Sequence, residues 1–104
     1  MVQTHLKKRV EIVVEAPVLR RLVDRLDAAA VTGYTVIPAL AGRGRDGSWR
    51  GEGLAGDAGR MVMVVCITDP SKVDTVLETV YAVVQRQIGI VTVSDVQVIR
   101  AEHF

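Results

Sequence analysis

The sequence is short of the residues that build several common classes of protein. It has one cysteine, Cys66, which excludes an internal disulfide framework and a metal cage of several cysteines. Its net charge of +1 provides no broad attraction to nucleic acid or to an anionic membrane. The longest apolar run, residues 61–67, is far shorter than the ~20 residues of a membrane helix. No signal-peptide pattern follows the charged residues 1–9, so we expect a cytoplasmic protein without membrane insertion.

Aromatic residues are also scarce, so the core must be built from Val, Leu, Ile, Ala and Met. The composition is 49% hydrophobic and 24% charged, which is typical of a globular chain and not of a disordered one. A length of 104 residues fits one domain, because single domains cluster around roughly 100–150 residues. We therefore expect a single domain over residues 1–104.

Apolar periodicity predicts an α+β protein in the order strand, helix, strand, loop, strand, helix, strand. Pro17 and Pro70 suit the first turns of the two helices, with Asp69 as an N-cap and Thr32-Gly33 as the end of the first helix. The predicted strands are residues 8–15, 34–40, 61–67 and 90–99, the last being either one strand or two short ones. This is the ferredoxin-like βαββαβ order, an antiparallel sheet with both helices on one face.

The predicted third strand is apolar on both of its sides. Met63 and Val65 point to one side, and Val64 and Cys66 point to the other. Two helices cover only one face of the sheet, and a large exposed apolar face is rare in a soluble monomer. The residues themselves therefore predict that the uncovered face packs against another subunit.

Residues 41–60, here called the glycine-rich segment, contain seven of the nine glycines and no apolar period. At about twenty residues the segment is longer than an ordinary connection, and loops of that length are usually functional or disordered. Residues 42–47 match the string G-x-G-x-x-G, but no helix follows to hold a pyrophosphate. The Rossmann interpretation is therefore rejected.

The glycine-rich segment has the chemistry of an anion site. Glycines allow backbone N–H groups to converge, and Arg43 and Arg45 place guanidinium groups beside them. Three acidic residues nearly balance the four arginines of the segment, so a solvated flexible loop remains the alternative. Trp49 is unusual in such a polar stretch, and it is predicted to contact a base or a partner, or else to anchor the loop.

Catalytic and metal-binding patterns find little support. His5 and His103 lie near the two ends of the sequence, and Cys66 lies inside an apolar strand where an inert thiol is expected. No Ser-His or Cys-His arrangement is apparent. Met61 and Met63 could join these residues in a metal site, but methionines in such a strand more often fill a core.

Four short segments together resemble the PII signalling family, and within it the shorter PII-like proteins linked to carbon uptake and carboxysomes. Thr-Gly-Tyr-Thr-Val at residues 32–36 is similar to the family's Thr-Gly-x-Thr-Val before the second strand. Gly-Arg-Gly-Arg at residues 42–45 resembles the Gly-x-Gly-Arg at the base of its T-loop. Trp-Arg-Gly at residues 49–51 stands where nitrogen-regulatory members have Tyr-Arg-Gly, and residues 96–100 resemble the last strand with its phosphate-binding arginine.

The resemblance implies a non-enzymatic homotrimer that holds a nucleotide in the clefts between subunits. The glycine-rich segment would be its T-loop, changing shape with the ligand and contacting a target protein through Trp49 and Arg50. The implied nucleotide-binding residues are Gly42, Arg43, Gly44, Arg45, Gly89 and Arg100.

Departures from the family pattern narrow the expected ligand. Trp49 replaces the tyrosine that is modified in nitrogen-regulatory members, which excludes uridylylation there. Ile-Val-Thr follows Gly89 in place of Asp-Gly-Lys, and the missing lysine favours ADP or AMP over ATP. Asp46 stands near the family's glutamine for magnesium and 2-oxoglutarate, which argues against nitrogen sensing. Carbon-linked members suggest bicarbonate as a second ligand and a membrane transporter as one candidate target.

Two other functions share this type of fold. A metal-binding trimer of the CutA type would need more histidine and cysteine than the sequence contains. An amino-acid-binding regulatory domain would not explain the long segment rich in Gly and Arg.

Overall fold

The computed structural model describes residues 2–44, 47–50, 60–102 and 104, and for residue 44 and residues 47–50 only the backbone. Short 3-10 turns at Ala16–Val18 and Pro70–Lys72 lead into the two helices. The described residues form β1 (His5–Glu15), α1 (Leu19–Ala28), β2 (Thr35–Pro38), β3 (Ala41–Gly44), β4 (Gly47–Arg50), β5 (Met61–Thr68), α2 (Val73–Val84) and β6 (Gly89–Val98).

The main sheet has the order β2-β5-β1-β6, and its neighbouring strands are antiparallel. Central strand β1 pairs with β5 on one edge and with β6 on the other, so that Val10 lies opposite both Cys66 and Val93. Together with the two helices, this order confirms the predicted ferredoxin-like α+β fold.

The core lies between the sheet and the two helices. One face of the sheet supplies alternate residues of β1 and β5, and the helices supply one apolar stripe each. The core consists of Val10, Ile12, Val14, Val18, Leu22, Leu26, Val62, Val64, Cys66, Val76, Val80 and Val83. The opposite face of the sheet, here called the open face, carries Met63, Val65 and Ile67 from β5, each half-buried.

Both predicted helix starts are confirmed. Pro17 lies in the 3-10 turn before α1, where its missing N–H costs no hydrogen bond. Asp69 caps the second helical segment, because its carboxylate accepts the backbone N–H of Ser71 at 3.2 Å.

The predicted end of α1 is wrong by several residues. The helix ends at Ala28, and Ala30, not Gly33, takes the left-handed backbone conformation with φ 59°. Ala30 N–H donates to the carbonyl of Asp27 and Val31 N–H to that of Leu26, the hydrogen-bond pattern of a Schellman motif. The chain turns early because this motif brings Val31 against the core beside Leu26.

Two further findings concern strands, one that was not predicted and one that decides between the two alternatives for the last strand. The first part of the glycine-rich segment is a hairpin, β3–β4, where Ala41 pairs with Arg50. The last strand is continuous over Gly89–Val98, because it pairs with β1 along its whole length. The polar residue Asp95 does not interrupt this pairing, because its carboxylate accepts a hydrogen bond from the Lys8 ammonium directly opposite.

Ala30→Gly should stabilise the protein. A left-handed conformation costs a residue with a side chain about 1–2 kcal/mol, and glycine largely avoids this cost. We expect a gain of about 1 kcal/mol in the free energy of unfolding, measured by denaturant titration at one fixed protein concentration. Ala28→Gly, in the last turn of α1, is the matched control and should lower stability. If Ala28→Gly raised the free energy of unfolding as much as Ala30→Gly does, residue 30 would not be strained.

Candidate nucleotide site

The glycine-rich segment leaves and rejoins the main sheet at one end. On the leaving side, the Ala39 N–H donates to the carbonyl of Met61 at 3.1 Å. On the returning side, the Ala16 N–H donates to the carbonyl of Arg60 at 2.8 Å. The base of the segment is therefore anchored beside the carboxyl end of β1.

The hairpin at this base carries most of the predicted phosphate-binding string. Gly42 lies opposite Trp49, Arg43 opposite Ser48, and Gly44 opposite Gly47. The Arg43 residue is exposed. Arg45 lies outside the described residues, as do the side chains of Trp49 and Arg50.

Gly89 lies at the same end of the sheet. It begins β6 and pairs with Val14, near the carboxyl end of β1. A Cβ placed on Gly89 would lie 2.6 Å from the carbonyl oxygen of Val13 and 3.2 Å from Cγ1 of Val14. Gly89 therefore has a packing role that the sequence did not reveal, in addition to the predicted role at the nucleotide.

Arg100 lies at the opposite end of the sheet. It is exposed and follows β6, whose last residue Val98 pairs with His5 at the amino end of β1. At about 3.3 Å per residue, β6 separates Gly89 from Val98 by roughly 30 Å. Within a single chain, therefore, Gly89 lies near the base of the glycine-rich segment, whereas Arg100 lies far from both.

The open face of the sheet lies between these two ends. Its apolar residues include Ile37, which is 44% exposed and opposite Met63, and Ile90, which is 64% exposed and opposite Val13. An ion pair lies on the same face along β1, where the Arg9 guanidinium donates to the Glu11 carboxylate at 2.6 Å. This face therefore combines an apolar surface with an internally neutralised charge pair, which suits burial against another protein.

The candidate metal ligands are not brought together. Cys66 is in the core, where burial raises the pKa of its thiol, whereas Met63 is on the open face. His5 and Met61 lie at opposite ends of the sheet, and His103 lies outside the described residues. Within the described part of the chain, no three His, Cys, Asp or Glu side chains are grouped as metal ligands.

A buried lysine near the amino end of β1 was missed by the sequence reasoning. Lys7 is only 8% exposed, and its ammonium lies 2.8 Å from an oxygen of Asp69 and 5.9 Å from the centre of the Phe104 ring. The Lys72 ammonium donates to the Phe104 carbonyl at 3.2 Å. These contacts hold the segment that carries Arg100 against the start of the second helical segment. Lys7 is the first of three consecutive basic residues, and such a run offers no sequence signal that one of them is buried.

Asp69 combines the N-cap with this ion pair. Its carboxylate accepts hydrogen bonds from the Lys7 ammonium and from the hydroxyl and backbone N–H of Ser71. These donors favour the charged form and hold the pKa of Asp69 well below its usual range.

None of the helices in the described ranges has the length and apolarity needed to cross a bilayer.

The fold, the anchored glycine-rich segment and the open sheet face define a regulatory domain of the PII type. The family described as nitrogen regulatory protein P-II matches residues 7–103. The chain therefore belongs to the P-II family, whose members act as signalling regulators and not as enzymes. No protein with a curated description matches the sequence.

Solved structures agree with this assignment. CPII, a nitrogen regulatory PII-like protein from Thiomonas intermedia K12 bound to ADP, AMP and bicarbonate, is 28% identical with a TM-score of 0.88, over 100% of this chain and 98% of that chain. A putative PII-like signalling protein from Thermus thermophilus is 25% identical with a TM-score of 0.80, over 98% of each chain. A DUF3240 family protein from Shewanella baltica shares the fold at 10% identity, with a TM-score of 0.67 over 84% of this chain and 86% of that chain.

Gly89→Ala should destabilise the fold, because its methyl group would overlap the backbone of Val13. Overpacking of this kind costs about 1–3 kcal/mol. Gly33→Ala is the matched control, since no described atom lies within 4 Å of a Cβ there and its φ is outside the left-handed region. We expect the control to be neutral or slightly stabilising. Thermal unfolding of both variants at equal protein concentration checks this, and equal losses in the two would contradict the packing role.

Asp69→Asn should lower stability at neutral pH and flatten its dependence on acid. The folded-state pKa of Asp69 lies below its unfolded value near 4, so its stabilisation is present above about pH 4 and is lost as the pH falls further. The variant also leaves the Lys7 ammonium buried without its carboxylate. Asp95→Asn, which breaks the more exposed Lys8 pair, is the control and should have a smaller effect. Melting temperatures from pH 2 to pH 7 test this, and identical profiles for the two variants would refute it.

Proposed function

We propose that the protein is a homotrimeric sensor that binds ADP or AMP in the clefts between its subunits. The observation that carries this proposal is the position of the predicted phosphate-binding residues at opposite ends of one sheet. Gly42, Arg43 and Gly89 lie at one end and Arg100 at the other. Residues so far apart in one chain form a single site only when a second chain supplies one half of it.

The open face supports an assembly that would bring these halves together. Its half-buried β5 residues and exposed Ile37 and Ile90 form an apolar surface that neither α1 nor α2 covers. Packing such faces together removes apolar area from water, which is the main driving force of stable association. Subunits joined through this face would place the amino end of one β1 within reach of a neighbour's glycine-rich segment.

The start of β6 supports ADP or AMP over ATP. Ile90 and Thr92 already pair with Val13 and Glu11 of β1, so no loop follows Gly89 to surround a further phosphate. No lysine stands in this stretch to neutralise additional charge. Arg43 and Arg100 offer guanidinium forks suited to one or two phosphates. CPII, at 28% identity, was solved with ADP and AMP.

Bicarbonate is proposed as a second ligand of the same site. A guanidinium group matches a planar oxyanion with two parallel N–H donors, so Arg43 and Arg45 suit its shape and charge. The glycines beside them allow close approach of the backbone. CPII was solved with bicarbonate together with its nucleotides.

Signalling is proposed to pass through the glycine-rich segment in inorganic-carbon metabolism in the cytoplasm. The ligand would bind at the base of hairpin β3–β4, and the rest of the segment would then change shape and present Trp49 and Arg50 to a target protein. A ligand shifts such an equilibrium by its preference for one shape of the segment. A membrane transporter for carbon uptake is one candidate target.

Isothermal titration with ADP, AMP, ATP and cyclic AMP, each with and without bicarbonate, tests the ligand. We expect ADP or AMP to bind more tightly than ATP. Arg100→Ala should weaken ADP binding tenfold or more, because a charge-assisted hydrogen bond contributes about 1.5–3 kcal/mol. Arg20→Ala, another exposed arginine, is the control and should bind as the unchanged protein does. Absence of heat in every titration would refute nucleotide sensing.

A mixing experiment tests the site between subunits. Arg43→Ala and Arg100→Ala should each bind ADP poorly, but a refolded equal mixture should recover about a quarter of the sites. Each cleft then has an even chance of taking an intact Arg43 from one chain and an even chance of an intact Arg100 from its neighbour. Sedimentation should show a trimer in each case. No recovery from a confirmed mixed trimer would place both arginines in one chain and overturn the proposal.

A further inference from the structure

A cleft lined by arginines lies between the two helices. It has a volume of about 270 Å³. Its lining residues are Arg21, Arg25, Ala82, Val83, Gln85 and Arg86. The cleft is in the helix layer, on the other side of the sheet from the open face, and none of the proposed nucleotide-binding residues lines it. We refer to it as the arginine cleft.

The three guanidinium groups come from different parts of the fold. Arg21 and Arg25 are four residues apart on α1 and therefore lie on the same side of that helix. Arg86 follows the end of α2. The Arg21 guanidinium donates to the carbonyl of Val83 at 3.3 Å, which orients it at the edge of the cleft. Two helices thus hold three positive charges around one space.

In the described part of the chain, no carboxylate forms an ion pair with these three arginines. The ion pairs found there are Lys7–Asp69, Lys8–Asp95 and Arg9–Glu11, and none of them involves an arginine of the cleft.

The carboxylates of α1 act on Tyr34. Partial burial together with the negative charges of Asp27 and Asp24 raises the pKa of Tyr34. Among the described residues, therefore, no ion pair competes with a ligand for the three arginines.

Arg21 breaks the usual charge preference of its helix end, whereas Arg25, in the last turn of α1, follows it. The first turn of α1 has Arg20 and Arg21 and no acidic residue, although the amino end of a helix prefers negative charge. Residues that break a local rule in this way are expected where function requires them. An anion bound beside Arg21 would offset that conflict.

We propose that the arginine cleft is a second anion site, which binds a compound with two or more phosphate charges and no requirement for a base. Arginine forks match phosphate oxygens in pairs, and three of them suit several negative charges. The lining contains no aromatic ring on which a base could stack. The volume of the cleft is larger than a single phosphate needs. The inference does not depend on nucleotide binding at the subunit clefts.

Titration with inorganic pyrophosphate, followed by NMR of the arginine Nε–Hε groups, tests this site. We expect saturable shifts at Arg21, Arg25 and Arg86 in the full chain. The double variant Arg25→Ala with Arg86→Ala should bind at least tenfold more weakly. Arg25→Lys with Arg86→Lys, which keeps the charge but not the fork, should recover only part of the affinity. Arg20→Ala removes one charge from the same helix outside the cleft and is the matched control.

Two arms separate this site from the proposed nucleotide site and from general attraction of ions. Arg43→Ala with Arg100→Ala should leave the pyrophosphate shifts at the cleft unchanged, whether or not ADP binding is lost. Sodium chloride at equal ionic strength should produce no saturable shift. The proposal would be overturned if the shifts were lost in Arg43→Ala with Arg100→Ala, or if sodium chloride reproduced them. It would also be overturned if Arg20→Ala weakened binding as much as Arg25→Ala with Arg86→Ala does.

Discussion

The structure depends on the pairing of one central strand with two neighbours. β1 forms antiparallel ladders with β5 and with β6, and its alternate residues face either the helices or the open side. A shift of one residue would move Val10, Ile12 and Val14 out of the core and would turn the charged residues Arg9 and Glu11 into it. The register is therefore strongly specified. It also determines which ends of the other strands meet, and hence which candidate functional residues become neighbours.

The same register links ligand binding to assembly. Gly89 and the base of the glycine-rich segment share one end of the sheet, whereas Arg100 follows the other end. If a neighbouring chain completes the site, as we propose, a nucleotide binds only the assembled protein. Ligand and assembly then stabilise each other by mass action. The apolar open face and the divided phosphate-binding residues are in this view two parts of one arrangement.

The polar contacts give the two layers different roles. On the sheet side, Asp69 joins the cap of the second helical segment to buried Lys7, while Phe104 covers Lys7 and accepts from Lys72. The segment carrying Arg100 is thus tied to the core of the fold. On the helix side, the arginine cleft brings together three arginines that form no ion pair with a described carboxylate. The two anion sites that we propose therefore lie on separate surfaces of the domain, one between chains and one within a single chain.

The sequence by itself determined the elements whose signals are local: the alternating strands, the helix starts at Pro17 and Asp69, and the presence of an uncovered apolar face. Its resemblance to the PII family named the candidate phosphate-binding residues, but not their arrangement. Only the tertiary structure decided that α1 ends at Ala28, because the burial of Val31 turns the chain there. The packing of Gly89, the burial of Lys7 and the distance of Arg100 from the hairpin likewise depend on contacts between residues far apart in the chain, which no local pattern records.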